Sequence, residues 1–538
     1  MITALMLISA SLAATANTDL LVPGSRPNIV VIMVDDLDGG SLNDALAAGL
    51  LPGIQTVFAQ NGLRFSNSFV TNSLCCPSRV TFLTGQYAHN HGVLDNLPPY
   101  GFDAFDDSST LATWLQDSGY KTGMVGKYLN GYDSTKDVNN NGTIEDDEKK
   151  YVPPGWDYWN ITVDPLTFLM WDYAMIEKPL DVTERIITKY PDDYQTDLVA
   201  SKAVGFIEAV EAYDSSPFFL WVSTVAPHGE SALRGTGTVR ACGTPMGPLT
   251  FIRPAGRHIG FGDSLMKTQT AAFNESDISD KPLWLRQRAA NPLSTELTDC
   301  LQDAYRRRIE SLIAVDDLVK RVVVSLHNMG EQETVLMFLS DNGFLLGEHR
   351  LAKKLVVYEE AIRVPLFIRD LSAAHGDLIE DLVINNDMAP TLAALAGAVP
   401  GLNVDGRSIL PRLEISPTGP WRQRLLVEHF PHGGNSDPMD GFYAAIREQG
   451  PSSQSPFLYV EHKGSTDPLA PWTGCTEDLC EFYKLAVDPM QLFSLHREPG
   501  WSAFLTGLSG VLGNMRDCVG DTCRMMEDAD LQDLLTAQ

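Results

Sequence analysis

Positive charge is scarce in this chain of 538 residues: 40 Lys and Arg stand against 69 Asp and Glu, a formal net charge of −29. That balance excludes a generally basic surface for nucleic acid or anionic lipid. It also constrains any anionic substrate. A local cluster of metal and basic side chains must draw it in, because the global field repels it. Long apolar runs are missing too: beyond residues 1–16 no stretch has the roughly 18 uninterrupted apolar residues of a membrane span. No membrane partner is therefore expected, and no internal repeat is present.

The chain has the composition of a soluble globular protein, 44% hydrophobic and 20% charged, and exceeds the length of one ordinary domain. Residues 1–16, MITALMLISASLAATA, read as a signal peptide: a short apolar core ends in Ala14-Thr15-Ala16, although no Lys or Arg precedes Arg26. The expected location is secreted, periplasmic or lumenal. Cysteine usage fits it. Cys475 and Cys480 are five positions apart, as are Cys518 and Cys523, and Cys242 and Cys300 bracket a long insertion. Three disulfides on that pairing are expected, though spacing leaves other connectivities open. Cys75 and Cys76 remain, and adjacent cysteines seldom bridge.

Four apolar runs read as buried strands ending in polar chemistry. Residues 28–36 end in Asp35-Asp36, 121–127 in Lys127, 217–228 in His228 and 334–342 in Asp341-Asn342. Continuous hydrophobicity is what a strand covered on both faces requires. Open α/β sheets place ligands beyond the carboxyl ends of such strands, so a convergent site is expected there. Residues 194–212 and 303–329 carry helical periodicity, the second stopped by Gly330. This alternation predicts a large α/β domain over 26–412. Pro411, Pro417 and Pro420 mark a linker to a smaller α+β domain over 421–538. The polar stretch 229–300 is long for a connection, as functional lids often are.

The densest chemistry is Cys75-Cys76-Pro77-Ser78-Arg79, followed by Leu83-Thr84-Gly85. Pro77 suits a first helical turn, and a helix N-terminus with Arg79 one turn along would stabilise negative charge. A buried structural cysteine is the plainer alternative. Asp35-Asp36 and Asp341-Asn342 offer only oxygen ligands, which select calcium or magnesium over zinc.

The segment resembles the type I sulfatase signature Cys-x-Pro-Ser-Arg with its downstream Leu-Thr-Gly. The resemblance implies that a dedicated formylglycine-generating enzyme oxidises Cys75, and that the aldehyde hydrate attacks sulfur and later ejects sulfate. It implies calcium held by Asp35, Asp36, Asp341 and Asn342, with an oxygen of residue 75 as a further ligand. It also implies that Lys127 and Lys354 bind sulfate oxygens, that Arg79 steadies the hydrate and that His228 protonates the leaving oxygen. Many sulfatases have a histidine two positions after the first lysine. Here Leu129 stands there, followed by Asn130, so the base for elimination is unassigned, with His89, His91 and His349 as candidates. The CCPSR variant, GKYLN, PPGWDYW (153–159) and SLIAVDDLV (311–319) are similar to the N-acetylglucosamine-6-sulfatase and arylsulfatase branch. CEFYKLAVDPMQLFSL (480–495) resembles the family's C-terminal segment more weakly. The implied fold is alkaline-phosphatase-like, a large mixed, mostly parallel sheet flanked by helices with a small C-terminal α+β domain. The implied substrate is a 6-O-sulfated amino sugar in a sulfated glycan. A broad arylsulfatase, a phosphonate or phosphodiester hydrolase and a non-catalytic glycan-binding protein are the competing readings.

Residues 137–148, DVNNNGTIEDDE, satisfy the EF-hand loop pattern. A second, structural calcium is expected on Asp137, Asn139, Asn141, the Thr143 carbonyl, Glu145 and Glu148, with Gly142 at the turn. Asn141, Asn160 and Asn274 also begin Asn-x-Ser/Thr sequons.

Overall fold

The computed structural model describes residues 21–132, 151–212, 216–231, 240–373, 376–413, 419–430, 442–451, 454–465 and 470–536. The signal-peptide reading (1–16) and the calcium-loop reading (137–148) lie outside these residues.

The four apolar runs become four adjacent parallel strands. β1 (Asn28–Val34) is central and buried throughout. The remaining strands of its sheet are β2 (Leu63–Phe65), β3 (Lys121–Gly126), β4 (Tyr158–Thr162), β5 (Tyr173–Lys178), β6 (Ile186–Tyr190), β7 (Phe218–Ser223), β8 (Thr334–Ser340), β9 (Leu366–Asp370) and β10 (Leu378–Ile379). They run in the order β10-β2-β9-β8-β1-β7-β3-β4-β5-β6. The run from β8 through β1, β7 and β3 to β4 is parallel, while β9, β5 and β6 pair antiparallel with their neighbours. Parallel register aligns the strand ends. Val34 pairs with Ser340, Met33 with Ser223 and Gly126 with Ser223, so four carboxyl ends emerge along one edge.

Side chains alternate across a strand, and both faces of β1 are covered. Val30, Ile32 and Val34 pack with Val199, Ala203 and Phe206 of α4 (Gln195–Glu211) and with Leu312, Val315 and Val319 of α5 (Thr295–Met329). Ile29, Val31 and Met33 pack with Val80 and Leu83 of α2 (Cys75–Thr84), Leu111 and Leu115 of α3 (Leu111–Asp117) and Leu392 of α6 (Met388–Ala396). The short helix α1 (Gly39–Ala47) follows β1. Two covered faces explain why these strands read as unbroken apolar runs. Helix α5 begins at Thr295, earlier than the expected 303, because the Ser294 side chain caps it by accepting from Leu297 N–H. It stops at Gly330, in the left-handed region at φ 90°.

The C-terminal unit is an antiparallel sheet, β11 (Arg424–His429), β12 (Tyr443–Glu448), β13 (Phe457–His462) and β14 (Cys480–Lys484), carrying α7 (Ser502–Arg516). Leu505, Leu508 and Leu512 of α7 join its core, as do Phe69, Val70, Val356, Tyr358 and Ile362 of the large unit. A fully buried Arg422 also ties Asp387 to Glu527 across this junction. The 229–300 stretch contributes a hairpin (Ala241–Thr244 with Gly247–Thr250) and a short helix, Leu283–Arg288.

The disulfides are Cys242–Cys300, Cys475–Cys480 and Cys518–Cys523, with Cys75 and Cys76 free. Two of the sequon asparagines are held within the fold. Asn160 is buried within β4, and the Asn274 amide exchanges hydrogen bonds with the Leu293 backbone. Among the described residues no helix is long and apolar enough to cross a membrane.

Candidate active site

Parallel register brings Asp35-Asp36 and Asp341-Asn342 out of β1 and β8 side by side. Asp36 sits at φ 67°, its N–H donating to Asp341 Oδ1 (3.1 Å) and its Oδ1 accepting from Asn342 Nδ2 (2.7 Å). Ligating atoms of Asp35, Asp341 and Cys75 all lie within 4.8 Å of one another, as do those of Asp35, Asp36 and His228. Burial would raise the Asp35 carboxyl, but Lys127 and His228 outweigh it and hold the group at about 2.

Cys75 is the first residue of α2, buried at a helix N-terminus with no side-chain cap, and Gly85 closes the helix at φ 71°. Its Sγ is 3.5 Å from Asp35 Oδ1 and 2.8 Å from Lys354 Nζ. Burial and the Asp35 carboxylate push the thiol up to about 11 against the pull of Lys127 and Lys354. An unmodified thiol is therefore neutral here and a poor nucleophile, since the thiolate is the reactive form. Arg79, one turn along, donates to Asp341 Oδ2 (2.8 Å), the Lys127 carbonyl (2.9 Å) and Ser223 Oγ (2.7 Å). Its Nη2 is buried without a hydrogen-bond partner.

Two lysines complete the charge balance. Lys127, just beyond β3, donates to Asp35 Oδ2 at 2.5 Å and lies 4.7 Å from the centre of the Phe168 ring. Lys354 donates to Asp36 Oδ1 and to Asn342 Oδ1 (3.3 Å). Burial disfavours both ammonium groups, but the carboxylates raise their pKa values above the ordinary range, so both stay charged. His228 Nε2 is 3.5 Å from Asp36 Oδ2, and its Nδ1 is 2.6 Å from the Gly229 carbonyl. That carbonyl can only accept, so Nδ1 carries a proton and Nε2 is the nitrogen turned to the acids. Burial holds the imidazole below its ordinary value, although Asp36 and Asp35 pull the other way.

The structure thus gathers Asp35, Asp36, Cys75, Arg79, Lys127, His228, Asp341, Asn342 and Lys354. It does not bring in the three spare histidines. His89 pairs with Glu428, His91 bonds Thr81 and accepts from Val93 N–H, and His349 pairs with Glu275 and stacks on Tyr358. Leu129 is buried, and the Asn130 Oδ1 is buried without a partner. Sequence reading missed Arg308, which donates to the carbonyls of Asp36 and Pro227 (3.0 Å) from α5. It also missed Phe168, whose ring centre lies 4.5 Å from that of His228. Arg308 hid in the run Arg306-Arg307-Arg308, which looks like a solvated charge cluster. Its phase on the apolar stripe with Leu301, Tyr305 and Leu312 was the available signal.

A mixed sheet with acids, cations and a helix-initial cysteine at its strand ends is the alkaline-phosphatase-like architecture of an ester hydrolase. The chain belongs to the Sulfatase family, whose model matches residues 27–398, and is a sulfuric ester hydrolase. It is 32% identical to an arylsulfatase of Volvox carteri over 528 residues, 93% of this chain and 76% of that one. It is 29% identical to the N-acetylglucosamine-6-sulfatase of Homo sapiens, over 93% of this chain and 86% of that one. A solved protein in complex with its substrate, D-glucosamine-2-N,6-O-disulfate, shares the fold at TM-score 0.66 and 22% identity, covering 91% of this chain and 97% of that one.

Proposed function

We propose that this exported hydrolase removes 6-O-sulfate from N-acetylglucosamine or a related sulfated glycan, with formylglycine at position 75 and calcium. The observation that carries the reading is the placement of Cys75 between Asp35 (3.5 Å) and the Lys354 ammonium (2.8 Å). A buried structural cysteine has no use for such neighbours.

The donor set fits a hard cation. Asp35, Asp36, Asp341 and Asn342 are all buried at adjoining strand ends and can present only oxygens to a metal, the donor chemistry that a hard cation takes. Calcium held there would polarise the sulfate and ease formation of the nucleophilic alkoxide. Formylglycine would supply, as its hydrate, an oxygen nucleophile and a route to release sulfate without a second water attack. The chain's own side chains do the rest. Lys127 and Lys354 would neutralise sulfate oxygens, and Arg79 holds Asp341 while its buried Nη2 keeps a hydrogen bond to give. His228, anchored through Nδ1 on the Gly229 carbonyl, would act as the imidazolium, the form that Asp36 and Asp35 favour, and hand the leaving oxygen a proton from Nε2.

The 6-O-sulfated amino sugar is supported by the likeness to N-acetylglucosamine-6-sulfatases along most of the chain. Peptide mass spectrometry of the natively produced Cys75 segment tests the nucleophile, with the aldehyde mass expected. Release from N-acetylglucosamine-6-sulfate, 4-nitrophenyl sulfate and an aryl phosphonate tests the substrate. Preference for the sugar sulfate is expected. Turnover of 4-nitrophenyl sulfate with none of the sugar sulfate would make it an arylsulfatase. Preference for the phosphonate would overturn the sulfate reading, and glycan binding without hydrolysis by aldehyde-bearing protein would overturn the enzyme.

A further inference from the structure

The loop that presents Lys354 is held in a conformation its sequence does not favour. His349, Arg350, Lys353 and Leu355 have φ of 53°, 60°, 82° and 73°, a left-handed region that residues with a Cβ seldom occupy. Two of them flank Lys354 directly. Its reach to Cys75 Sγ, Asp36 and Asn342 therefore depends on a strained backbone, which persists only when surroundings over-determine it.

Arg350 supplies that determination. Its side chain is buried and spends its fork on backbone carbonyls of the 229–300 segment. Nε donates to the Glu275 carbonyl (2.7 Å), Nη2 to Ser276 (2.8 Å), and Nη1 to Ala289 and Ala290 (3.2 Å each). The neighbouring His349 N–H donates to the Ala272 carbonyl (2.7 Å), and its ring lies 2.7 Å from Glu275 Oε2. On its other side the ring stacks on Tyr358 at 3.9 Å, and Tyr358 donates to Glu481 of β14 at 2.9 Å. The loop is gripped at both ends.

We propose that Arg350 is a positioning residue for Lys354: by pinning residues 349–355 to the carbonyls of 275–290, it fixes the ammonium against the reacting centre. Residues 272–290, part of the stretch whose length suggests a functional lid, thus brace the sulfate-binding lysine. This rests on the reading of Lys354 as a ligand of the sulfate oxygens.

The test is a double-mutant cycle on matured protein, with kcat/KM measured on 4-nitrophenyl sulfate for wild type, Arg350→Gln, Lys354→Ala and the double variant. Arg350→Gln is expected to lower kcat/KM about thirtyfold in the wild-type background and less than about threefold once Lys354 is gone, because residues coupled through a shared backbone shift are non-additive and independent ones add. Lysine lacks the planar fork, so Arg350→Lys gives an intermediate loss with the same non-additivity and serves if the Gln variant does not fold. A second readout is independent of maturation: in Cys75→Ala protein, amide hydrogen exchange across 347–358 quickens when Arg350 is replaced. Additive losses in the cycle, or unchanged exchange in that segment, overturn the proposal. If Lys354→Ala alone keeps full activity, both the positioning role and the sulfate-binding reading of Lys354 fail. If it loses activity and the cycle is additive, only the positioning role fails.

Discussion

Removing His228 distinguishes a proton donor from a residue that merely lines the cleft. Its ring is fixed from two sides, by the Gly229 carbonyl at Nδ1 (2.6 Å) and by the Phe168 ring at 4.5 Å. A quarter of its side chain is exposed, whereas Asp36 beside it is buried, so the imidazole is the member of this pair that a leaving group can reach. A sugar alkoxide is a strongly basic leaving group and needs a proton as the bond to sulfur breaks. 4-Nitrophenolate is stable as an anion and needs little help. A positioned general acid contributes about 10²–10⁴-fold, or roughly 2.7–5.5 kcal/mol of barrier, when the leaving group demands it. His228→Ala is therefore expected to lower kcat/KM on N-acetylglucosamine-6-sulfate by about 10²–10⁴ and on 4-nitrophenyl sulfate by less than about tenfold. Steady-state sulfate release from both esters, at one pH and one calcium concentration, measures the ratio. Equal losses on the two substrates would refute the proton-donor role and leave His228 as a packing or metal-orienting residue.

Three further outcomes follow from particular residues. Burial alone would depress His89, but Glu428 raises it to about 9, so the pair stabilises the protein fully below about pH 6.5 and loses that contribution as pH rises through 9. The shift is worth up to about 3 kcal/mol. Thermal melts from pH 6 to 10 should flatten in His89→Gln, and an unchanged pH slope would contradict the assignment. Serine at both Cys242 and Cys300 opens a disulfide with a sequence separation of 58. Chain entropy predicts a loss of about 4 kcal/mol, readable in the urea midpoint, and a midpoint that does not move rules this out. Glu148→Gln should remove one calcium per chain by calorimetry and lower the melting temperature; with neither change, residues 137–148 are not a calcium loop.

The legible part of the fold was the part governed by local pattern. Four strands showed in the sequence because burial on both faces disfavours charge within the sheet. Asp35, Lys127 and Asp341 therefore directly follow a strand end, whereas the run expected to end at His228 leaves the sheet earlier, at Ser223. The four runs located Asp35, Lys127, His228 and Asp341 before any pairing was known. The order of the strands was not in the pattern, because parallel pairing links residues such as Val34 and Ser340 through no local signal. Helix α5 shows the same division: its apolar period was readable, but its start depended on one Ser294 side chain.

What stayed hidden are groups whose meaning depends on distant backbone. Arg308 reaches the carbonyls of Asp36 and Pro227, and Arg350 reaches four carbonyls in 275–290. A carbonyl is present at every residue, so a side chain that recognises carbonyls leaves no complementary residue type elsewhere in the sequence to find. A buried arginine paired with an aspartate, as Arg79 is with Asp341, leaves such a trace. The reacting groups are consequently easier to read than their supports. Loss of a support should show first as misplacement of a lysine that is itself still present.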